Sequence, residues 1–238
     1  MGLRVIAHRG ASGTCPENTL AAFHRAEALG AHMVELDVQR TRDGAVVVVH
    51  DWTLDRTTDG HGAVGTCRLD EIASLDAGRW FGERFRGERI PTLGDVLAAI
   101  ALPVNVELKP VGDDGLDVLA LAAVRAAGAL GRVVFSSFDV AVLERLRGRS
   151  PEANVAVLWE EAPIAGALAL AERVAARALH LRKDAATPDV IQVAHRAGLA
   201  VHLWTVNDPA EIGSLVGVGL DGVFTDFPER FLHNAPPA

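Results

Sequence analysis

The chain has 238 residues, of which 49% are hydrophobic and 23% are charged, and its formal net charge is −8. Such a length and composition are typical of one large globular α/β domain, or at most two smaller ones. The acidic balance argues against a nucleic-acid partner, which would require a basic face. Cys15 and Cys67 are the only cysteines, and their spacing indicates neither a metal site nor a disulfide framework.

The ends and apolar segments of the sequence predict a cytoplasmic location. Residues 1–4 lead directly into an apolar strand, so no signal peptide is expected. No apolar run is long enough to span a membrane, and we expect no stable membrane insertion. Nothing in the sequence indicates an oligomeric state.

The first part of the chain predicts a strand, a helix and a hairpin. Residues 3–8 predict a short buried strand that ends at His8. A helix is expected to begin near residues 16–19 with Asn18 as its N-cap, and to end at Gly30. Two extended runs, 34–38 and 45–50, are joined by the turn signal Asp43-Gly44 and predict a hairpin.

Residues 52–91 interrupt this pattern. They are rich in Asp, Thr, Gly and Arg, and they are too many for an ordinary connection between elements. We therefore expect an insertion or small subdomain within a single domain that spans residues 1–238. Trp80, Phe81 and Phe85 are candidates for packing this insertion against the main body.

Beyond Pro91, helices and strands alternate. The predicted strands are 104–109, 133–137, 155–159, 178–181, 199–206 and 221–225, with helices over 92–101, 116–127, 139–147, 160–176, 188–197 and 209–216. Residues 228–233 close the chain. With the hairpin counted once, eight strands alternate with helices, which indicates a parallel sheet. Eight such units in this length favour a TIM barrel. The runner-up is a doubly wound sheet, but no glycine-rich dinucleotide fingerprint follows the first strand.

Glu35 and Asp37 form the most informative pair in the sequence. They alternate with Val34, Leu36 and Val38, so both carboxylates would project from one face of an apolar strand. Two like charges at that range repel each other unless a cation lies between them. Oxygen ligands of this kind suit Mg²⁺ or Ca²⁺. The alternative is an edge strand with a solvated acidic face.

The barrel prediction adds further polar residues to this pair, because TIM-barrel chemistry lies at the C-terminal ends of the strands. Glu107 offers a third carboxylate ligand for the cation. Arg9 and Lys109 would grip a phosphate group. His8 and His50 would supply a general acid and a general base near neutral pH. A phosphodiester requires this combination.

Each of these residues also has an ordinary structural interpretation. Either histidine could be a hydrogen-bonded structural residue, Lys109 could be a solvated strand end, and Arg9 could pair with a structural carboxylate. Trp204, taken singly, could belong to the core. The histidines without an identifiable partner are assigned to surface or structural roles: His24, His61, His180, His195, His202 and His233.

Taken together, motifs along nearly the whole chain resemble the glycerophosphodiester phosphodiesterase family. The matching segments include His8-Arg9-Gly10, Pro16-Glu17-Asn18-Thr19, Glu35-Leu36-Asp37-Val38, His50-Asp51, Leu54-Asp55-Arg56-Thr57-Thr58, Val106-Glu107-Leu108-Lys109, Trp204-Thr205-Val206-Asn207 and Asp221-Gly222-Val223-Phe224-Thr225-Asp226. The resemblance implies a TIM barrel with an insertion after the second strand, and hydrolysis of glycerophosphodiesters to sn-glycerol 3-phosphate and an alcohol.

The resemblance also implies roles for individual residues. Glu35, Asp37 and Glu107 would hold one divalent cation, and His8 and His50 would act as acid and base. Arg9 and Lys109 would hold the phosphate, and Trp204 would line the substrate pocket. The resemblance further implies that a glycerol hydroxyl is the internal nucleophile and that water then opens a cyclic phosphate.

Two departures from the family pattern bear on substrate preference. Cys15 stands where a bulkier residue is more common, and His180-Leu181 replaces the His-Pro pair of many members. Both could contact the alcohol side of the substrate. The competing hypotheses are a lysophospholipase D-like or sphingomyelinase D-like lipid phosphodiesterase, which would require an apolar rim, and a non-catalytic phosphate-ligand binder that has lost a catalytic group.

Overall fold

The computed structural model describes residues 2–232, and nine strands form one sheet in that part of the chain. The strands are β1 (Arg4–Ala7), β2 (Met33–Arg40), β3 (Val46–Val48), β4 (Val104–Leu108), β5 (Val133–Ser137), β6 (Asn154–Trp159), β7 (Ala178–Arg182), β8 (Ala200–Trp204) and β9 (Gly222–Thr225). Their order is β1-β9-β8-β7-β6-β5-β4-β2-β3.

The sheet closes into a barrel because β1 pairs with strands on both sides. Ile6 of β1 lies beside Phe224 of β9 and beside Met33 of β2, and both pairings are parallel. The eight parallel strands therefore form a TIM barrel, which confirms the fold predicted from the sequence. β3 pairs with β2 in the antiparallel sense and forms the expected hairpin outside the barrel.

Helices surround the barrel. They are α1 (Leu20–Leu29), α2 (Leu69–Ile72), α3 (Leu93–Ala99), α4 (Leu116–Ala126), α5 (Val140–Arg149), α6 (Ala165–Arg173), α7 (Pro188–Arg196) and α8 (Gly213–Val216). The expected helix over 209–216 is a 3-10 turn, Pro209–Ile212, followed by α8. The segment predicted as 228–233 contains a 3-10 turn, Pro228–Arg230, and His233 lies outside the described residues.

The start of α1 differs from the prediction in a way that matters for the site. Thr19, not Asn18, is the N-cap, and its hydroxyl accepts a hydrogen bond from the Ala22 amide. Asn18 instead has a positive φ of 58°. Its side-chain amide donates to Asp37 Oδ2 at 2.9 Å. Because the helix begins one residue later than expected, Asn18 does not cap it, and its side chain instead binds a carboxylate at the end of β2. Gly30 ends α1 in the left-handed region, as expected.

The strands have two different faces. Outward residues such as Val104, Val106 and Leu108 of β4 are buried in the main apolar cluster between barrel and helices. Because side chains alternate along a strand, Asn105 and Glu107 of the same strand face the barrel interior. The core therefore lies mainly outside the barrel, and polar side chains can occupy its interior.

Residues 49–91 contain α2 and two 3-10 turns, and they build a small apolar cluster of their own. Leu54, Val64 and Ile72 pack there with Val47 of β3. The expectation that Trp80, Phe81 and Phe85 pack this segment down is wrong. Their rings instead stack edge to face on one another, with centroids 5.6 Å apart, outside that cluster. Aliphatic side chains on the inner side of the segment make the contact with the hairpin.

Candidate active site

The C-terminal ends of the barrel strands form a pocket of about 140 Å³. The residues that line it come from nearly every side of the barrel: His8, Arg9, Glu35, His50, Asn105, Glu107, Lys109, Phe138, Leu158, Trp204, Thr205 and Phe224. Asp37 lies beneath this lining and is 1% exposed. The fold therefore brings all eight residues singled out in the sequence to one end of the barrel.

Three carboxylates form the floor of the site. Register places Asp37 of β2 directly beside Glu107 of β4. One oxygen each from Glu35, Asp37 and Glu107 lies within 4.8 Å of the others. Glu35 and Asp37 are 3% and 1% exposed, so the alternative of a solvated acidic face is wrong.

This acidic triad has the donor chemistry of a hard-cation site. All three ligands are oxygens, which Mg²⁺ and Ca²⁺ prefer. Oε2 of Glu35 accepts from the Arg9 amide at 2.8 Å, but its Oε1 is buried and has no hydrogen-bond partner in residues 2–232. An unpaired buried carboxylate oxygen is costly, and a bound cation would satisfy it. The residues present therefore fit a divalent ion.

Two cationic side chains neutralise part of this charge. Lys109 Nζ lies 2.7 Å from Glu107 Oε1 and 3.4 Å from Asp37 Oδ1. Arg9 Nε lies 3.4 Å from Asp37 Oδ2. Burial alone would raise the pKa of Asp37, but these two cations outweigh it and hold that pKa below its usual range.

Glu35 behaves differently from Asp37. Burial and the nearby charge of Asp37 raise the pKa of Glu35 to about 8. Burial and Asp37 also raise the pKa of Glu107, although Lys109 opposes the effect. Burial and like charge therefore shift both glutamates towards the protonated form relative to an isolated carboxyl group, as expected where like charges share a low-dielectric site.

His8 is oriented by a group to which the sequence analysis assigned no role. Its Nδ1 lies 2.7 Å from Oδ1 of Asp226, which follows β9. Ser12 and Asn207 donate further hydrogen bonds to the same carboxylate, and the pKa of Asp226 falls to about 2. Burial disfavours a charged imidazole, but Asp226 and Glu35 outweigh burial and raise the pKa of His8 above its usual value.

His50 is held by a second carboxylate. Its Nδ1 lies 2.7 Å from Oδ1 of Asp51. Arg56, in the 52–91 segment, donates from Nε and Nη2 to Asp51 and from Nη1 and Nη2 to Glu17. Burial lowers the pKa of His50, although Asp37 opposes the effect. The two histidines thus share one arrangement, with Nδ1 on a carboxylate, but their pKa values shift in opposite directions.

We expect Arg56→Met to reduce kcat about tenfold with little change in KM, because Asp51 would no longer be fixed against His50. A charge-assisted hydrogen bond contributes about 1.5–3 kcal/mol, and about 1.36 kcal/mol corresponds to tenfold. Arg56→Lys should recover part of the rate. The matched control is Arg68→Met, which removes an exposed arginine from the same segment. Equal losses in both variants would indicate a general effect on stability instead.

Two neighbours of the predicted residues also line the pocket and were missed. Asn105 lies beside Glu35 in the register of β2 and β4, and its Oδ1 is buried without a partner in residues 2–232. Phe138 is 47% exposed and stacks edge to face on Trp204 at 5.7 Å. Asn105 could have been found from the alternation Asn105-Val106-Glu107, which puts both polar residues on one face.

The family of the chain follows from its match to known sequences. The sequence model described as "Glycerophosphoryl diester phosphodiesterase family" matches residues 8–230. The chain belongs to the glycerophosphoryl diester phosphodiesterase family. The family resemblance seen in the sequence is therefore confirmed.

Phosphodiesterases from several bacteria are similar to this chain over nearly their full length. A glycerophosphodiester phosphodiesterase of Caldanaerobacter subterraneus subsp. tengcongensis is 39% identical over 234 residues, or 96% of each chain. A phosphodiesterase of Oleispira antarctica, solved in complex with the product sn-glycerol-3-phosphate, is 35% identical with a TM-score of 0.87, over 96% of this chain and 94% of that one. An Agrobacterium tumefaciens glycerophosphodiester phosphodiesterase is 31% identical with a TM-score of 0.84, over 98% and 100%.

Within residues 2–232, no helix is both long and apolar enough to cross a lipid bilayer.

Proposed function

We propose that the strand-end pocket hydrolyses glycerophosphodiesters to sn-glycerol 3-phosphate and an alcohol, with His8 and His50 as its acid–base pair. The observation that carries this proposal is that the two histidine rings are held in the same way. Each is held at Nδ1 by a carboxylate 2.7 Å away, and both line the pocket that contains Glu35, Glu107 and Lys109. The product complex of the Oleispira relative supports the same product class for this family member.

Glu35, Asp37 and Glu107 would hold one divalent cation, Mg²⁺ or Ca²⁺. When bound, the cation would act as a Lewis acid on a phosphoryl oxygen of the substrate. Arg9 and Lys109 would contribute further positive charge to the phosphate, since both are largely buried beside the triad. Trp204, with the exposed ring of Phe138 against it, would line the side of the pocket that receives the organic part of the substrate.

The opposite pKa shifts favour a division of labour between the histidines. His50, with its lowered pKa, would be neutral and would accept the proton of the glycerol hydroxyl whose oxygen attacks phosphorus. His8, whose raised pKa favours the protonated ring, would donate to the oxygen of the departing alcohol. In the second half-reaction, His8 would accept a proton from water as its oxygen opens the cyclic phosphate, and His50 would return a proton to the glycerol oxygen.

Asp226→Asn tests this assignment by its effect on the pH profile. Asp226 stabilises the protonated form of His8, so its neutralisation should lower the pKa of His8. The alkaline limb of the plot of kcat against pH reports loss of the proton from the general acid. If His8 is that acid, this limb moves to lower pH in Asp226→Asn, and the rate falls most at alkaline pH. Movement of this limb by one pH unit would mean that the protonated ring has lost about 1.36 kcal/mol of stabilisation.

The matched control for Asp226→Asn is Ser12→Ala, which removes a 3.0 Å hydrogen bond to the same carboxylate but no charge. This variant should move the limb much less. Movement of the acid limb in Asp226→Asn, with the alkaline limb unchanged, would instead make His8 the base.

A coupled assay for glycerol 3-phosphate, run over a panel of glycerophosphodiesters and lysolipids with and without metal, tests the function itself. We expect turnover of the water-soluble diesters. Turnover of lysolipids alone would favour the lipid phosphodiesterase, and binding without turnover of any substrate would favour the non-catalytic binder.

We also propose that residues 52–91 are an insertion within a single barrel domain. Their separate apolar cluster and the reach of Arg56 from this segment to Asp51 and Glu17 support this interpretation. The cytoplasmic location stays a prediction from the sequence.

A further inference from the structure

A second cavity, of about 700 Å³, opens at the end of the barrel opposite the catalytic pocket. It exists because the barrel interior is hollow there. Ala178, Ala200 and Gly222 face inward at the N-terminal ends of β7, β8 and β9, whereas bulky branched residues normally fill these layers. A Cβ atom at Gly222 would lie 2.8 Å from the Arg4 carbonyl oxygen and 2.9 Å from Cδ2 of His202. A glycine is therefore required at this position.

Two histidines form the inner end of this cavity. The rings of His180 and His202 lie side by side on β7 and β8, with centroids 5.2 Å apart. His180 is 2% exposed and His202 is 5% exposed. The Nδ1 atom of each ring is buried and has no hydrogen-bond partner in residues 2–232. Burial lowers the pKa of both, that of His202 to about 4, so each ring is neutral with one donor and one acceptor nitrogen.

The unpaired ring nitrogens require an explanation, because an unsatisfied buried polar atom costs about 1–3 kcal/mol. The expectation that His180 contacts the alcohol side of the substrate is wrong, since its ring lines the lower cavity and not the catalytic pocket. The assignment of His202 to an ordinary structural role is also incomplete. Packing explains the burial of these rings but leaves their hydrogen-bonding capacity unused.

The cavity is basic in a chain whose net charge is −8. Arg4, Arg132 and Arg177 line it, and no Asp or Glu does within the described part of the chain. Arg132 donates to the carbonyls of Leu97 and Leu102. Arg4 and Arg177, by contrast, form no ion pair among residues 2–232. Two exposed guanidinium groups are thus available at the cavity.

The two ends of the barrel are separate sites. No described residue lines both the catalytic pocket and the lower cavity. Phe224 lies at the boundary: it lines the catalytic pocket, and its ring packs on His180 with centroids 4.8 Å apart. A ligand in the lower cavity would therefore not contact His8, His50 or the acidic triad.

We propose that the lower cavity binds a small organic oxyanion, a carboxylate or a phosphate ester on a compact hydroxyl-bearing body. The anionic group is recognised by Arg4 and Arg177. The hydroxyl group pairs with an unpaired nitrogen of His180 or His202, and because both Nδ1 atoms are buried, a rotation of the ring accompanies binding. The volume lies within the usual range for small-molecule sites. The inference does not rest on the proposed hydrolysis, because it uses none of the residues assigned to that reaction.

The test is a titration of the full-length protein, labelled with ¹⁵N in its histidine rings, with three probes. They are 3-hydroxybenzoate as the carboxylate, glycerol 2-phosphate as the phosphate ester, and inorganic phosphate, which lacks an organic body. We expect saturable shifts of the His180 and His202 ring signals with at least one organic probe. The probe that binds identifies the anion, and the ring signals distinguish this cavity from the catalytic pocket.

Variants then separate the two parts of the cavity. Arg4→Gln/Arg177→Gln should weaken binding at least about tenfold. Arg173→Gln/Arg196→Gln, which makes the same charge change at surface arginines of α6 and α7, should not. Ala200→Leu should abolish binding by filling the space without altering charge, and Ala178→Val provides a smaller change if the leucine variant does not fold. All these variants should retain hydrolysis.

The proposal is overturned if no probe shifts either ring up to about 10 mM, which corresponds to affinity weaker than the millimolar range. It is also overturned if inorganic phosphate alone binds, or if affinity is unchanged in Arg4→Gln/Arg177→Gln. If His8→Ala loses hydrolysis but the ring signals of His180 and His202 still shift with the probe, ligand binding in the lower cavity is supported independently of hydrolysis. The two proposals can therefore fail separately.

Discussion

His50→Ala should lower kcat for glycerophosphodiesters by about 10²- to 10⁴-fold, the usual contribution of a general acid or base. His8→Ala should have an effect of similar size with a natural alcohol as leaving group. The fold should remain intact, because both rings lie at the mouth of the barrel and are partly exposed. The measurement is glycerol 3-phosphate release, with the thermal unfolding midpoint recorded for each variant.

The two histidine variants should differ with an activated substrate. A glycerophosphodiester of 4-nitrophenol has a leaving group that needs little protonation, so it should restore much of the rate to His8→Ala but not to His50→Ala. His61→Ala is the matched control, because this exposed histidine also pairs with an aspartate. If the activated substrate instead restores the rate of His50→Ala, His50 is the acid and His8 is the base. If either variant turns over natural substrates at the wild-type rate, the histidine replaced in it is not part of the acid–base pair.

Removal of the metal ion should abolish hydrolysis. Treatment with EDTA should stop activity, and Mg²⁺ or Ca²⁺ should restore it. Lewis-acid stabilisation contributes several kcal/mol, so we expect a loss of at least about 10²-fold, and a similar loss in Glu107→Gln. Glu152→Gln, which neutralises a surface carboxylate paired with Arg125, should leave the rate unchanged. Full activity in a rigorously metal-free preparation would contradict the metal role.

The raised pKa of Glu35, about 8, gives this metal prediction a second measurement. At pH 7 most of the Glu35 carboxyl groups bind a proton in the absence of metal, and cation binding should displace that proton. Calorimetric titration in buffers of different ionisation enthalpy should detect the release. The release should diminish as the pH rises above 8, because Glu35 is then already ionised, and it should decrease in Glu35→Gln.

The main residues of the site could be found in the sequence because each lies in or directly after a strand. Alternation put Glu35 and Asp37 on one face, and the count of eight strands put that face inside a barrel. Glu107 and Lys109 repeat the same spacing. These inferences need only local periodicity and the general geometry of barrels, so no knowledge of a specific long-range contact was required.

The partners that orient these residues could not be found in this way. Asp226 follows the last strand and contacts His8 only because β1 pairs with β9. Arg56 reaches Glu17 across 39 positions of sequence. Asn18 looked like a helix cap, and only a positive φ turns its side chain towards Asp37. Each contact depends on barrel closure or loop geometry, for which the local sequence has no periodic signal.

The amino-acid sequence was sufficient to predict the barrel, the family and the set of polar groups at the strand ends, because hydrophobic periodicity and motif order are properties of the local chain. The tertiary structure was needed to show that His8 meets Asp226 and that His50 is buried, and hence why the pKa values of the two histidines shift in opposite directions. It was also needed to show that His180 and His202 meet at a basic cavity, because the register of β7, β8 and β9 places His202 beside both His180 and Gly222. Pairing register and burial are collective properties of the closed sheet, and they convert residues that look ordinary in sequence into oriented chemical groups.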